Sequence, residues 1–112
     1  MTSFFIGGVD GWVQNGVVYM NAEQIAFYLG LCDKSKGKPY PKWAEMRKHL
    51  CQAGRYVPFS KNTFISEEDF VALAGRLKNK TAKQNIPHIL NEVIPEAKRK
   101  AKESEKRNEK QN

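Results

Sequence analysis

The chain has 112 residues and a formal net charge of +7, from 19 Lys and Arg against 12 Asp and Glu. A domain typically takes roughly 100 to 150 residues, so this length fits one domain and effectively excludes a two-domain enzyme. The last 17 residues contain no Val, Ile, Leu, Met or aromatic side chain. We therefore expect a core domain over residues 1–95 and a charged tail over residues 96–112 that is either helical or disordered.

The positive charge is concentrated in two parts of the chain. Residues 33–55 carry seven basic side chains against two acidic ones, a net +5, and residues 96–112 carry a net +3. A basic cluster inside a folded region favours a polyanionic partner, through Coulomb attraction and counterion release. A solvated face that keeps the protein soluble would have the same composition, so charge alone leaves both interpretations open.

Targeting, metal-binding and catalytic signals are all weak. The opening apolar run is three residues long, too short for a signal peptide or a membrane span, and we expect a cytoplasmic protein with no membrane contact. Cys32 and Cys51 are 19 residues apart in no metal-binding pattern, and the only histidines are His49 and His88. We predict free thiols, no metal, no cofactor, no catalytic residues and no enzymatic activity.

The N-terminal third predicts strands followed by a helix. Phe4–Ile6 can open a strand, and Asn15-Gly16 between two apolar runs predicts a β-hairpin with a type I′ turn. Asn21 is a good helix N-cap, with Gln24 placed to reach back to it and Gly30 placed to end the helix.

This first helix carries three apolar side chains on one face: Ile25, Tyr28 and Leu29. Phe27 lies off that face, so it is either exposed or packed under the hairpin.

The basic segment predicts a loop and then a second helix. Residues 33–40 contain turn formers and lysines without a hydrophobic period, which is typical of a loop. Pro41 suits the first turn of a helix that ends at Gly54. Its core-facing residues recur at helical spacing: Trp43, Met46 and Leu50. Lys42, Glu45, Lys48 and His49 lie on the opposite face, and Arg47 lies at the flank of the apolar stripe.

The next segment predicts two short strands and a third helix. Tyr56–Val57 and Thr63–Ile65 fit two strands or a loose hairpin, in which Pro58 confines the first strand to an edge. Ser66 is a helix N-cap, and the three acids after it complement the helix dipole rather than form a metal site. The apolar stripe of this helix consists of Phe70, Leu73, Ala74 and Leu77.

A last amphipathic helix is predicted to start at a capping box over Thr81–Gln84. Pro87 falls in its second turn and should bend it or delay its start, and Pro95 should end or kink it. Its apolar face carries Ile86, Ile89, Leu90, Val93 and Ile94, whereas the following tail has no stripe to bury. The sequence thus predicts an α+β domain, with an N-terminal hairpin and short strands packed against about four helices.

Three parts of the chain resemble the Bro-N domain, found at the N-terminus of phage antirepressors and of baculovirus repeated-ORF proteins. Residues 15–30 are similar to its opening strand and helix, and residues 37–45 to an antirepressor segment that reads Tyr-x-x-Trp-Glu. Residues 64–74, 78–82 and 91–95 are similar, in that order, to a Phe-x-x-Leu-Ala helix, an Asn-x-Thr-Ala junction and a helix ending in Glu-Val-Ile-Pro.

The chain departs from the family in its terminal helix, whose first two turns usually carry aromatic residues, where this chain has Asn85 and His88 with Pro87 between them. Antirepressors also continue into a second domain, so we expect a stand-alone Bro-N-like module.

The resemblance implies a DNA-binding regulator of phage or prophage transcription, acting in a bacterial host cell. Phosphates of double-stranded DNA would be contacted by a basic loop and helix: Lys34, Lys36, Lys38, Tyr40, Lys42, Arg47, Lys48 and Arg55. Gly37 would let the loop backbone approach a phosphate, and Tyr40 could stack at its edge. Phosphate contacts position a protein on DNA without specifying sequence. The alternative for the same loop is a solvated, mobile segment.

A second hypothesis is a protein-binding inhibitor or antirepressor that occupies a repressor or a host defence protein, including a nuclease complex, without binding DNA. Phe27, Pro87 and His88 are then the candidate contact residues. The sequence is silent on the oligomeric state.

Overall fold

The computed structural model describes residues 1–35, 37–60 and 62–111, with side chains at all of these except 34, 35 and 105–111. It confirms the predicted α+β class. The elements are β1 Thr2–Ile6, β2 Val9–Gln14, β3 Val17–Asn21, α1 Ala22–Tyr28, β4 Cys32–Ser35, β5 Lys38–Pro41, α2 Trp43–Gln52, β6 Phe64–Ser66, α3 Glu67–Ala74, α4 Lys80–His88, a π-helical turn Ile89–Val93, and α5 Ile94–Gln111. In the described ranges, β1-β2-β3-β6 form an antiparallel sheet in that order, and β4-β5 form a separate hairpin.

Two tight turns set the register of the main sheet. The predicted hairpin is confirmed as β2–β3, with Asn15 at φ 53° and Gly16 at φ 78°, the two positive angles of a type I′ turn. Gly7 and Gly8 form a second such turn, at φ 59° and 81°, and join β1 to β2. In two-residue hairpins the residues that flank the turn exchange both backbone hydrogen bonds. These turns therefore fix which backbone groups of each strand face its neighbour.

The main sheet has one apolar face and one aromatic face. Apolar residues alternate along the strands and are buried against helices that include α1, α3 and α5: Phe4, Val9, Val13, Val18, Met20 and Ile65. Trp12 on the other face stacks on Tyr19, with ring centroids 5.4 Å apart, and contacts Phe64 at 4.4 Å. Phe5 is on this same face and is 66% exposed. The core therefore lies between the sheet and the helices.

The first helix begins as predicted, but Gln24 acts differently. The Gln24 N–H donates to Asn21 Oδ1 at 3.0 Å, which confirms Asn21 as the cap, and Gly30 follows the helix with a positive φ. The Gln24 side chain does not reach back to the cap. It accepts from the Asp10 N–H at 2.6 Å and donates to Asp10 Oδ2 at 2.8 Å. The pairing of β2 with β3 ends at Gly11 and Met20. The Gln24 side chain therefore bonds the Asp10 backbone at the position where the next hydrogen bond between these strands would lie.

Residues 33–40 form the hairpin β4–β5 rather than the predicted loop. Asp33 lies opposite Tyr40, and Ser35 lies opposite Lys38, with Gly37 in the turn. Strand β5 is mostly exposed, so it needs no alternation of apolar and polar residues, which explains why the hydrophobic pattern missed it.

Helix α2 starts two residues later than predicted. Pro41 is the last residue of β5, and its ring is compatible with an edge strand. Lys42 is the N-cap of α2, and its N–H donates to the Leu31 carbonyl oxygen at 2.8 Å. Met46 and Leu50 are buried as predicted, Trp43 packs against the core, and Gly54 follows the helix end.

The segment before α3 contains one strand rather than two. Tyr56–Val57 is not a strand and Tyr56 is 80% exposed, whereas Phe59 is buried and stacks on Trp43 at 5.8 Å. Pro58 has no N–H that could bond to a neighbouring strand. The packing of Phe59, rather than strand pairing, therefore holds this segment against the core. Phe64–Ser66 pairs with β3 as β6. The predicted cap of α3 is confirmed, because Asp69 N–H donates to Ser66 Oγ at 3.2 Å.

The last helical segment starts earlier and runs further than predicted. Its cap is Asn79, whose Oδ1 accepts from the Ala82 N–H at 2.8 Å, so the capping box at Thr81 is wrong. Pro87 lies inside α4, and Pro95 is the second residue of α5 rather than a stop. The π-helical turn lies between the two prolines, where helix hydrogen bonding is already interrupted.

The start of the tail does have an apolar stripe. Ala97 and Ala101 are 0% and 5% exposed, and α5 packs against β1, β2 and β3. Lys98 also forms an ion pair with Glu67 at 3.0 Å. The prediction that the tail has no stripe to bury was based on its lack of large apolar side chains, and it did not count alanine. A small alanine side chain nevertheless allows a helix to pack closely on a sheet. Within the described ranges, no helix is both long and apolar enough to cross a bilayer.

Candidate nucleic-acid interface

Hairpin β4–β5 occupies the place of the predicted basic loop. Lys38 and Tyr40 are two residues apart on β5, so they lie on the same face of the hairpin, and both are exposed. Lys34 lies in β4 opposite Pro39, and its side chain is outside the described part of the chain, as is the whole of Lys36. The described part of the hairpin therefore offers one exposed ammonium beside one exposed phenol.

Helix α2 carries the clearest pair of available cations. Arg47 and Lys48 are both exposed, and neither forms an ion pair with any residue whose side chain the structure describes. Lys42 lies 3.9 Å from Glu45, and His49 Nε2 lies 3.8 Å from the same carboxylate. Lys42 is thus partly neutralised by its neighbour, whereas Arg47 and Lys48 keep their full charge toward solvent.

A further basic segment, which sequence reasoning left out of the site, reaches this face of α2. The guanidinium of Arg76 hydrogen-bonds the side chain of Gln52. Gln52 follows Lys48 by four residues, so the two side chains lie on the same face of α2. Residues 76–80, between α3 and α4, contribute two more exposed lysines, Lys78 and Lys80. The sequence shows that three basic residues are clustered within residues 76–80, but it does not show that this cluster lies beside α2.

Two hydrogen bonds bring this segment to the base of the hairpin. Asn79 Nδ2 donates to the Leu29 carbonyl oxygen at 3.1 Å. Two residues further on, the Leu31 carbonyl oxygen accepts from the Lys42 N–H at 2.8 Å. The start of α2, the start of α4 and the start of the hairpin therefore meet around Leu29–Leu31. We call the exposed cations around this junction the basic surface: Lys38, Lys42, Arg47, Lys48, Arg76, Lys78 and Lys80.

Arg55 lies in a different environment from the other predicted DNA contacts. Its guanidinium donates to Asp69 at 2.9 Å and lies 3.7 Å from Glu68, both in the first turn of α3. Arg55 and Glu68 border a groove of about 440 Å³ that also exposes Val71. The structure therefore uses Arg55 to hold the end of α2 against α3, and acids neutralise its charge there.

The three candidate protein contacts are not equally accessible. His88 stacks on Tyr28, with centroids 5.7 Å apart, and its Nδ1 contacts the Glu92 carboxylate. Pro87 is exposed on α4, whereas Phe27 is half-buried in α1. Asn85 Nδ2 donates to the Tyr28 carbonyl oxygen at 2.7 Å, so this side chain fastens α4 to the end of α1.

A groove of about 470 Å³ lies beside His88. Its lining includes Ile6 and Gly7 from the β1–β2 turn, and Asn91 and Glu92 from the π-helical turn. The Gly7 carbonyl oxygen accepts a hydrogen bond from the Tyr28 hydroxyl. The backbone of Gly7 and the carboxylate of Glu92 thus lie together in this groove, next to His88, a predicted partner contact.

Charged side chains at the end of that groove pair along α5. Arg99 Nε donates to Glu96 at 2.9 Å and Arg99 Nη1 donates to Glu103 at 2.6 Å. The hydrogen bonds from Arg99 hold the pKa of the Glu96 carboxyl below its ordinary value. In return, Glu96 and Glu103 raise the pKa of the Arg99 guanidinium. This stripe of α5 is therefore charged but locally balanced.

Metal-binding groups do not converge among the described residues. No group of three or more His, Cys, Asp or Glu side chains there could hold a metal ion. Cys32 and Cys51 are free, as predicted, the first half-buried and the second exposed. The basic surface is therefore the most developed candidate site among the described residues.

Comparisons with known proteins leave the chain without an assigned family. No family model matches it, and neither a curated protein nor a solved structure does. The resemblance to the Bro-N domain therefore remains a prediction from its motifs.

Proposed function

We propose that this protein is a DNA-binding regulator of antirepressor type, which acts on phage or prophage transcription in the cytoplasm of a bacterial cell. The observation that supports this most directly is the pair Arg47 and Lys48, exposed side by side on α2 without an acidic partner in the described residues. Arg76, held beside the same helix by Gln52, extends the pair. Exposed bases on a rigid helix provide phosphate contacts that need no rearrangement.

The basic surface suits the DNA backbone better than base edges. Its cations come from a helix, a hairpin and an interhelical segment, and they are spread around Leu29–Leu31 rather than along one groove-sized helix. Phosphate contacts of this kind give affinity that depends strongly on salt and little on sequence. We therefore propose that this chain supplies affinity for duplex DNA, with Tyr40 at the edge of the contact.

The test is titration of a random duplex by fluorescence anisotropy at 50 and 200 mM salt. If about six phosphates are contacted, affinity should fall by roughly a thousandfold between these concentrations. The double variant Arg47→Glu/Lys48→Glu should abolish binding at 200 mM. The matched control is Lys100→Glu/Lys102→Glu, which makes the same change in net charge on exposed positions of α5.

Equal losses in the two double variants would show that only net charge matters and would remove the basic surface as the site. Absence of binding at 50 mM salt in the unmodified protein would overturn the DNA-binding proposal altogether.

The groove beside His88 favours a second candidate, a regulator that occupies a repressor or host defence protein. This role would use Pro87 and the exposed rim of the groove and would be independent of salt-sensitive DNA contacts. Pull-down from host lysate with nuclease present tests it. A partner retained by the Arg47→Glu/Lys48→Glu variant but lost on Pro87→Ala/Glu92→Ala would support it, whereas a partner that nuclease removes would contradict it.

A further inference from the structure

Strand β1 is an open edge of the main sheet. It pairs with β2 alone, and no residue in the described part of the chain hydrogen-bonds the outward side of Thr2–Ile6. Proteins usually protect such edges with charged side chains, proline, a bulge or a covering element. Strand β1 has no charged residue or proline, and Met1 and Phe5 at this edge are 85% and 66% exposed.

The hairpin register identifies which backbone groups are free. Ile6 and Val9 flank the Gly7–Gly8 turn and exchange hydrogen bonds, so by alternation Phe4 and Thr2 also bond to β2. The N–H and C=O groups of Ser3 and Phe5 therefore point away from the sheet. They form two donors and two acceptors on one straight edge.

This edge is complementary to itself. When two copies of β1 run antiparallel about a two-fold axis at Phe4, each Ser3 lies opposite the partner subunit's Phe5. The residues with free backbone groups thus meet each other, and four new hydrogen bonds form. Ser3 is small and shares the aromatic face with Phe5 and Trp12, to which it is adjacent in the β1–β2 register. A phenyl ring opposite Ser3 would therefore cover it and lie next to that aromatic face.

The charges around this edge favour approach of a second copy. The chain as a whole has a net charge of +7, but its first nine residues have no charged side chain. The groove between β1 and α5 is lined by two acids and two bases, Glu96, Glu103, Arg99 and Lys100. Apart from the α-amino group of Met1, this edge therefore adds no net charge against a second copy, and the alternating acids and bases of α5 are compatible with their own two-fold copy.

The opposite edge of the sheet is too short to offer a comparable pairing site. Strand β6 has three residues and passes directly into α3, and the Glu67 carboxylate accepts the Val18 N–H at 3.2 Å where the ladder would continue. Pairing through β1 therefore closes after two copies instead of growing into a fibre.

We propose that this protein forms a homodimer through antiparallel pairing of β1 with the β1 strand of a second copy, giving one eight-stranded sheet. The order is β6-β3-β2-β1 continued by the same strands of the partner in reverse. This inference is independent of the proposed function, because it uses none of the residues of the basic surface.

Sedimentation equilibrium and amide hydrogen exchange test the proposal on the full chain. The unmodified protein should show twice its mass of 12.8 kDa. Phe5→Lys removes the phenyl ring opposite Ser3 and places two like charges at diagonal positions across the axis, and it should raise the dimer dissociation constant at least about tenfold. Ser3→Pro removes an outward N–H, which the β1–β2 ladder does not use, and should have the same effect. The control Val71→Lys adds the same charge at a 53% exposed position on α3 and should leave the mass unchanged.

Amide exchange supplies an internal control. The Ser3 and Phe5 amides should gain protection as concentration rises, whereas the Phe4 amide, already bonded to β2, should be protected throughout. A monomer at all concentrations from roughly 1 to 300 µM would overturn the proposal. So would a dimer that is unchanged by both Phe5→Lys and Ser3→Pro while circular dichroism shows the variants folded.

Discussion

Replacing Glu67 tests how the incomplete edge of β3 is stabilised. The Glu67 carboxylate is 22% exposed, accepts the Val18 N–H at 3.2 Å and pairs with Lys98 Nζ at 3.0 Å. A hydrogen bond to a charged group contributes roughly 1.5 to 3 kcal/mol when buried, and partial exposure places this one near the lower value. The ion pair adds about 0.2 to 1 kcal/mol, since Lys98 is 42% exposed. We expect Glu67→Ala to lower the free energy of unfolding by about 2 kcal/mol.

Two further variants separate the contributions. Glu67→Gln keeps an acceptor for the Val18 N–H and loses only the charge, so we expect it to cost about 0.5 to 1 kcal/mol. Glu68→Ala is the matched control, because Glu68 is in the same helix turn but makes a weaker interaction. Its side chain is 76% exposed, and its ion pair with Arg55 is long, at 3.7 Å. It should cost less than about 0.5 kcal/mol.

Urea unfolding followed by circular dichroism gives all three values. Equal destabilisation by Glu67→Ala and Glu68→Ala would refute the reasoning, because the helix dipole alone would then explain the effect of Glu67. Equal costs for Glu67→Ala and Glu67→Gln would also contradict the role of the Val18 hydrogen bond.

Three other predictions concern turns, caps and pH. A Cβ on Gly11 would lie 2.0 Å from a backbone oxygen of β3, so Gly11→Ala should cost more than about 2 kcal/mol in urea unfolding, against about 1 kcal/mol for Gly16→Ala, which strains a positive φ in open space. Asn79→Ala removes both the cap of α4 and the bond to α1, and should lower the free energy of unfolding by about 1 to 2 kcal/mol; no change would exclude the cap. Since Arg99 keeps the folded-state pKa of Glu96 below its unfolded value, their interaction stabilises the fold above the unfolded pKa and is lost as pH falls through the folded pKa. Between pH 6 and pH 3, Glu96→Gln should therefore lose less helical circular dichroism than the unmodified chain, and identical acid profiles would contradict this.

Local turn and cap chemistry explains which parts of the fold were predictable. Asn15-Gly16, Asn21 and Ser66 act through residues at most three positions away, and all three have the predicted roles. Hairpin β4–β5 and the burial of Ala97 could not be predicted in the same way. The hairpin is too exposed to show a hydrophobic pattern, and a buried alanine looks the same in sequence as an exposed one.

The candidate site shows the same division between local and distant contacts. Arg47 and Lys48 were identifiable from the phase of α2, because outward positions follow from the apolar stripe. The environments of Arg55 and Arg76 depend on partners 14 and 24 residues away, at Asp69 and Gln52. A helical or strand period does not reveal contacts between residues so far apart in the chain. The sequence prediction therefore included Arg55 among the DNA contacts and left Arg76 out.

The π-helical turn explains how one apolar stripe continues through the whole C-terminal helical segment. One stripe of core-facing side chains along it consists of Ala82, Ile86, Ile89, Val93, Ala97 and Ala101, and Ile94 beside this stripe is buried as well. From Ala82 to Ala101 the chain advances 19 positions in five turns, whereas five ordinary α-helical turns advance 18. The turn at Ile89–Val93 accommodates the additional residue, and without it Ala97 and Ala101 would rotate by about 100° away from the sheet. Deleting exposed Asn91 would therefore give this stripe the ordinary α-helical spacing, while Pro87 and Pro95 would still interrupt the helix hydrogen bonds. The fold thus has a place where chain length can change by one residue without loss of its core.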